Sequence, residues 1–376
     1  MRILFLTYHG FEEASGISKK MLAQIKGLRQ NGHEVHLCYY DIAADGSRCR
    51  YVDGKIIHNY GRGRLSTLLQ RMDYRCINDY CRKHAIQLVY VRCFMNASPF
   101  NIRLFKNLQA DGIKSVMEVP TYPYDGEFSS LPLKYRLEHI FDKLFRCKLA
   151  YYMDAIVTFT DEKEIFGQRT ICISNGVDFD SIPLHKPVAV TNVVHLIGVA
   201  EVHPWHGFDR LIKGLGEYYC QKTKASSNKP DVFFHVIGGV SESMMRDFQD
   251  IIHQFGIEKY VVFHGKLFGD ELTAVFNQCQ FAIGSLARHR SGITRIKTLK
   301  NREYAARGIP FIYSEEDSDF DQQPYVMKAT ADESPIDIQS ILGFYGCLVL
   351  TPAEIRQTVT QLSWKVQMQR VINQIS

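Results

Sequence analysis

Short apolar runs alternate with amphipathic helical patterns along most of this chain, and the alternation runs through twice. The first pass sets strands at Ile3–Thr7, His33–Tyr39, Lys55–Asn59, Leu88–Val91, Lys114–Val119, Ala155–Phe159 and Thr170–Ile173. Helical patterns lie between them at Gly16–Asn31, Leu65–His84, Asn101–Asp111 and Pro132–Tyr151. The pattern pauses across Phe179–Val190, which carries Pro183 and Pro187. It restarts with strands Val193–Ile197, Val232–Ile237, Val261–His264, Gln280–Gly284 and Phe311–Tyr313, separated by helices Gly207–Tyr219, Glu242–Gln254 and Asp270–Asn277 and by one around Glu303. Strands joined through helices must run parallel, with helices on both faces. The expected fold class is α/β, with two tandem Rossmann-like doubly wound domains at 1–183 and 184–376. The terminal helix holding Trp364 is counted with the second. Ligands bind such sheets outside the carboxyl ends of the strands, so chemistry is expected in a cleft between the domains.

One such edge stands out. Ser291-Gly-Ile-Thr-Arg-Ile-Lys-Thr-Leu-Lys-Asn-Arg-Glu303-Tyr-Ala-Ala-Arg-Gly308-Ile-Pro310 reads as a loop, a helix stopped by Gly308, and a buried strand. A helix N-terminus at the carboxyl edge of a parallel sheet attracts anions. Glu303 is the lone carboxylate in this basic helix, placed one to two turns further on, where it can hold a sugar hydroxyl. The pairing suits a nucleotide-sugar diphosphate better than a nucleic acid or a protein.

With 376 residues, 45% of them hydrophobic, the chain can fill two ordinary cores. Its net charge of +5 is uneven. Between Gly61 and Ser115 ten Lys/Arg face three acids, a local excess of seven that leaves −2 for the rest. This half either faces an anionic membrane or phosphorylated lipid, or carries solvated helix faces. Pro132–Tyr151 interleaves Lys134, Arg136, Lys143, Arg146 and Lys148 with apolar residues. It either lies on a membrane or packs on its own sheet. The ten cysteines show no C-x2-C spacing and form no zinc pattern, so buried free thiols in a reducing compartment are expected. No run reaches transmembrane length, and Met1–His9 is too short in apolar residues for a signal segment. A cytoplasmic protein, at most peripheral on the inner face of the membrane, is the expectation.

Three further segments carry candidate chemistry. Ile3–Thr7 runs through a loop to Gly16-Ile-Ser18, whose amides are placed to meet a phosphate; the alternative is a tight turn with a Ser cap. This is not the G-x-G-x-x-G dinucleotide fingerprint, and only Asp41 stands near the end of the second strand. Glu118-Val-Pro-Thr-Tyr122-Pro-Tyr-Asp125 leaves a strand end, and is either a sugar-binding loop or a Pro-rich turn. His203-Pro-Trp-His206-Gly opens the second domain's first helix, as an anion or sugar pocket or a capped helix with a core Trp. No carboxylate follows at ligand spacing, so no metal is expected.

In order along the chain, these segments resemble the GT-B fold retaining glycosyltransferases of glycosyltransferase family four (group 1). Ile173-Ser-Asn-Gly-Val-Asp178 is similar to that family's I-P-N-G-V-D. Val236-Ile-Gly-Gly239 and Val262-Phe-His-Gly265 are similar to its V-x-G-x-G and V-x-F-x-G strands, and Glu303 to Pro310 to its E-A-M-A-x-G-x-P. The Glu118 to Asp125 and Trp205-His-Gly pieces resemble a subgroup of bacterial surface-polysaccharide synthesis.

The resemblance implies that the second domain holds the nucleotide sugar and that no separate cofactor is needed, the UDP- or GDP-linked sugar being itself the substrate. Glu303 would take the ribose hydroxyls, Thr298, Leu299 and Lys300 would meet the diphosphate through their backbone, and Gly265, Lys266 and Leu267 would border the base. The acceptor, lipid-linked or saccharide, would meet Gly16, Ser18, Glu118, Tyr122 and Asp125, with Tyr122 and Asp125 beside the reacting centre. Two departures stand out. The family's second acid, eight residues before Glu303, is replaced by Arg295. Its Arg and Lys diphosphate clamp after the second domain's first strand is replaced by Val199 or Ala200 and by His206. Arg290, Arg295, Lys297 or a protonated His206 are candidate replacements. The reading is transfer of a sugar with retention and without an essential metal. The rivals are a non-catalytic nucleotide-sugar-binding subunit and a GT-B sugar-nucleotide epimerase.

Overall fold

The computed structural model describes residues 1–11, 16–92, 97–125, 133–186, 192–224 and 229–375. Expected features at 126–128, at Pro132, at 187–190 and at 225–228 lie outside the described residues. The chain divides into two compact units, Met1–Gly176 with Leu362–Ser376, and Val177–Gln361.

The first unit begins with β1 (Arg2–Leu6), α1 (Gly16–Gln30), β2 (Glu34–Ile42), β3 (Arg48–Val52) and β4 (Lys55–Asn59). It continues through α2 (Gly63–Met72), α3 (Arg75–Lys83), β5 (Leu88–Arg92), α4 (Pro99–Ala110) and β6 (Lys114–Val119). It then runs through α5 (Leu133–Tyr151), β7 (Ala155–Thr158), β8 (Glu164–Ile165) and β9 (Gln168–Cys172). The sheet order is β4-β3-β2-β1-β5-β6-β7-β9-β8. Its inner strands run parallel, and their nearly unbroken burial matches a sheet covered on both faces. The edges are antiparallel: β3 and β4 on one side, β8 on the other.

The single helix expected over Leu65–His84 is two. Asp73 turns its carboxylate onto the Arg75 amide at 3.0 Å and onto the Arg75 guanidinium, offering the backbone a local alternative to the helical bond. The chain re-enters a helix at Arg75.

The second unit contains β10 (Val193–Val199), α6 (Phe208–Lys224), β11 (Asp231–Ile237), α7 (Glu242–Phe255), β12 (Val261–Gly265) and α8 (Gly269–Gln278). After these come β13 (Phe281–Ile283), α9 (Leu299–Arg307), β14 (Phe311–Tyr313), β15 (Val326–Lys328), α10 (Ile338–Cys347) and α11 (Pro352–Gln357). Its strands are all parallel, in the order β12-β11-β10-β13-β14-β15. One large core, including Leu196, Phe208, Phe234, Phe248 and Ile283, fills the space between sheet and helices.

The boundary differs from 183/184 for a reason in the backbone. The Arg356 guanidinium donates to the carbonyls of Phe179 and Ile182, and the His185 amide donates to Arg307, so the junction is stitched to the second unit. The last helix, α12 (Trp364–Ile375), belongs with the first unit rather than the second. Its Trp364, Met368, Val371 and Ile372 join the core under α1. Two glycines admit it. A Cβ on Gly27 would lie 2.7 Å from the Trp364 backbone, and one on Gly176 2.4 Å from the Trp364 ring. The glycine of Ile173-Ser-Asn-Gly is therefore a packing requirement.

The described cysteines are free, but not all are buried as expected. Cys147, Cys172, Cys220 and Cys347 are exposed. Among the described residues no helix is long and apolar enough to cross a membrane.

Candidate functional site

In the second unit β10 pairs with β11 on one side and β13 on the other, so chain progression reverses between β10 and β13. Loops leaving adjacent strands in opposite directions open a crevice at that point. Tyr304 of α9 spans it. Its hydroxyl accepts from the Val199 amide at 3.2 Å and donates to the Ile283 carbonyl at 3.0 Å. The loop after β13 is laced to the loop after β10, with Leu286 and Ala287 amides donating to the carbonyls of His206 and Trp205. Gly238, at φ +123, closes the other side; a Cβ there would sit 1.7 Å from the Ala200 carbonyl oxygen. Beside it, His264 ends a row of three imidazoles, with His195 to His235 at 2.9 Å and His235 to His264 at 2.8 Å.

α9 starts at this crevice. Thr298 is its N-cap, yet the Thr298 side chain makes no capping bond, and no acid stands in the first turn. The first amides of a helix need partners from outside. Several side chains nearby are buried and lack them as well. Ser285 Oγ, Thr298 Oγ1, Lys300 Nζ, Asn301 Oδ1 and Glu315 Oε2 are buried without a hydrogen-bond partner among the described residues. Most buried polar groups in folded proteins are satisfied, so these five call for partners beyond the described residues. Burial pushes Lys300 down to about 7, with Glu315 opposing and Arg288 adding to the fall. Burial likewise raises the carboxyl of Glu315 above its ordinary value. Glu315 Oε1 accepts from Asn301 Nδ2 at 3.2 Å. Arg302, fully buried, is neutralised by Asp317 and Asp319.

The sequence-selected residues of this unit divide in two. Thr298, Leu299 and Lys300 stand at the helix start. Glu303 is one turn on, one third exposed, with one oxygen holding Arg307 at 2.9 Å. Gly265 ends β12 at φ +69 and has open space where a Cβ would go. Lys266 is exposed and pairs with Glu201 at 3.0 Å, and Leu267 is half-buried. Three of the four candidate replacement cations are committed elsewhere or neutral. Arg290 is already engaged: its guanidinium grips Asp209 through two 2.9 Å bonds, the Pro204 carbonyl at 2.9 Å, and Glu333. Arg295 points to Glu316 at 2.6 Å on the surface, with a side chain 77% exposed. His206 is buried, its Nδ1 accepts the His203 amide at 2.9 Å, and burial, then Lys300 and Arg288, push it far below its ordinary value. It is neutral rather than the protonated cation expected. The N-terminus of α6 already holds its own anion, Asp209. Sequence reading missed Ser285, Glu315 and the Tyr304 bridge. Tyr304, standing where the resembling family has Ala, is the one visible signal.

In the first unit the acceptor candidates are mostly tied into the fold. Glu118 ends β6 fully buried. It accepts from Tyr90 Oη and Gln24 Nε2, both at 2.6 Å, and pairs with Lys20 at 3.2 Å and Arg92 at 3.4 Å. Although burial pushes its carboxyl up, Lys20 and Arg92 outweigh that and hold it below the ordinary value. In this fold its carboxylate acts as a buried counter-charge. Asp125 clips the loop after β6 to α5, with Arg146 at 2.7 Å, His139 at 3.2 Å and Lys143 at 3.3 Å. The Arg146 hydrogen bond holds it down at about 2, which makes it a poor base. Tyr122 is half-buried, with its ring edge on Phe166, and precedes a cis bond to Pro123. Gly16 opens α1, exposed, with no atom near where a Cβ would stand; Ser18 is buried. The loop at 12–15 before them lies outside the described residues.

No family model matches this sequence, and no curated protein matches it. Solved structures do resemble its fold. The glycosyltransferase from Rickettsia africae superposes with a TM-score of 0.64 at 12% identity, covering 100% of this chain and 97% of that one. The lipopolysaccharide outer core galactosyltransferase WaaB gives 0.64 at 12% identity, over 100% of this chain and 99% of its own. HepE of Anabaena, solved in complex with UDP, gives 0.60 at 12% identity, over 99% and 98%. At such identities the likeness establishes the fold, the two-domain GT-B arrangement of parallel α/β sheets.

Proposed function

We propose that this protein is a retaining glycosyltransferase that takes a sugar from a nucleoside-diphosphate donor. The observation that carries the reading is the group of buried, partnerless polar atoms at the uncapped start of α9, at the point where the sheet order reverses. A diphosphate would satisfy the amides of α9, Thr298 Oγ1 and Ser285 Oγ together. Glu303, a turn further, would take the ribose hydroxyls with the oxygen that Arg307 leaves open. The backbone at Gly265, Lys266 and Leu267 would border the base. HepE, with a similar fold, has been solved with UDP, with UDP and glucose, and with UDP-glucose. The leaving diphosphate gains negative charge in the transition state, so fixed amides and cations at this spot lower the barrier more than they tighten ground-state binding. Attack of the acceptor on the face the diphosphate leaves would retain configuration without an enzyme nucleophile.

The acceptor is proposed to be a lipid-linked or growing saccharide of a bacterial surface polysaccharide, bound in the first unit near Gly16 and Tyr122. α5 supports a lipid-linked acceptor. Leu133, Leu137, Ile140 and Leu144 are more than half exposed on it, and so are Leu65 and Leu68 on α2. Arg71 of α2 meets Glu138 of α5 at 3.4 Å, one point of contact between the two helices. Exposed apolar residues bordered by Arg64, Arg71, Arg136 and Lys143 suit an anionic bilayer surface.

A second reading has its own support. With Arg290 and Arg295 committed elsewhere and Asp125 neutralised, a subunit that binds the nucleotide sugar without turning it over fits the same site. A thermal-shift panel of UDP, GDP, ADP and their common sugar conjugates tests both. A melting temperature raised by one nucleotide family supports the donor site by mass action. No shift with any member would sink it, and binding without sugar transfer or hydrolysis would favour the second reading.

A further inference from the structure

The donor site lacks the two cations that the resemblance leads one to expect after β10, and Arg290, Arg295 and His206 are tied up or neutral. One cation of this unit is placed otherwise. Lys300 sits in the first turn of α9, where the helix end already carries positive partial charge and where acids rather than bases are stabilising. Its Nζ is buried and has no hydrogen-bond partner or ion pair among the described residues. A buried cation is normally paired, because an unpaired one carries a large desolvation cost. The groups around it are Arg288 from the 3-10 turn after β13, Glu315 after β14 and His206 after β10. Arg288 adds positive charge, and His206 is neutral. Glu315 is buried and its charge favours the ammonium, but Lys300 Nζ makes no hydrogen bond to it. The start of α9 thus carries a buried ammonium and a buried hydroxyl, Thr298 Oγ1, with no hydrogen-bond partner among the described residues.

We infer that the Lys300 ammonium is the cation that holds the donor's diphosphate in this chain, in place of the missing pair after β10. This rests on the donor reading above and gives the site a specific chemistry. The ligand must bring at least two negative charges to Nζ. Nucleosides and sugars without phosphate gain nothing from it. The site is also proton-linked: burial holds Lys300 near 7, whereas a bound diphosphate would retain the proton, so affinity should fall as pH rises above 7.

The test is calorimetry of the full chain with the nucleoside diphosphate that shifts its melting temperature, and with the matching nucleoside. Lys300→Met should weaken the diphosphate about 10- to 100-fold, the range of one charge-assisted contact. It should leave nucleoside affinity unchanged and leave the ligand-free melting temperature equal or higher, because a buried partnerless charge has gone. Lys300→Arg, charged at every pH used, should bind the diphosphate with a flatter profile between about pH 6.5 and 8.5 than the native chain. Equal binding of the diphosphate by native and Lys300→Met protein would overturn the Lys300 assignment and leave the donor site standing. So would a parallel loss of nucleoside affinity. Failure of the native chain to bind any nucleoside diphosphate would overturn the donor reading itself, and this inference with it.

Discussion

Replacing Glu118 by Gln separates its two readings, buried counter-charge and sugar contact. The substitution keeps the shape and removes one charge. Lys20 and Arg92, with side chains 5% and 9% exposed, then face each other with no anion between them. Lys20 has an escape. Burial already holds it at about 8 against 10.5 in water, a cost of about 3 kcal/mol in the native fold. Without Glu118 it can shed its proton at pH 7, which caps its added cost at the drop from 8 to 7, about 1 kcal/mol. Arg92 has no such exit, because guanidinium stays charged. It carries the remainder, and the total should approach the roughly 3–5 kcal/mol typical of a broken buried pair. Urea unfolding at pH 7 measures this directly. The pH dependence gives a second reading. Lys20 has a lowered folded value, so the unfolded chain binds more protons between about 8 and 10.5, and native stability rises with pH across that window. In the Glu118→Gln variant the rise should begin at a lower pH. A variant within about 1 kcal/mol of native stability at pH 7, with acceptor transfer impaired, would refute the structural assignment and restore Glu118 to the acceptor site.

Other outcomes follow from the same geometry. Gly238→Ala places a Cβ 1.7 Å from the Ala200 oxygen at φ +123 and should cost more than about 3 kcal/mol, while Gly265→Ala, at φ +69 in open space, should cost about 1–2 kcal/mol. Denaturant midpoints of the two variants should differ accordingly, and similar values would show that the loops after β10 and β11 can separate. Arg290→Ala, by breaking the grip on Asp209 and Glu333, should lower stability by about 1–3 kcal/mol and leave nucleotide Kd within about twofold; a large loss of nucleotide affinity would return Arg290 to the donor site. Leu137→Asp with Leu144→Asp, both outward positions, should abolish co-sedimentation with vesicles containing phosphatidylglycerol without changing the melting temperature. Unchanged partition would remove the membrane face.

What the sequence made legible was local or periodic. The alternation of runs from Ile3 to Tyr313 points to parallel sheets, because burial on both faces demands continuous apolar strands. Gly308 as a helix stop is a signal within one element. The short outer strands β3, β8 and β15 are interrupted by charged residues and show no continuous apolar run. The partners of Arg290 and Glu118 were illegible for a different reason. Arg290 finds Asp209 81 positions away, and Glu118 finds Gln24 94 positions away. Nothing in the neighbourhood of either residue reveals that its charge is already answered. Lys300 shows the reverse case: an ordinary residue of a basic helix becomes informative only because the fold buries it and leaves it unanswered.

The return of α12 to the first unit makes the second unit an insertion within the first. During synthesis, at about 5–20 residues per second, Val177–Gln361 is complete and free to close its own core while its host still lacks a wall. The bed shaped for Trp364 by Gly27 and Gly176 stays empty until α12 emerges. The nascent chain therefore completes its second unit before its first. Truncation ahead of Trp364 would spare the later-encoded core and cripple the earlier one, although the missing piece lies far in sequence from the strands it completes.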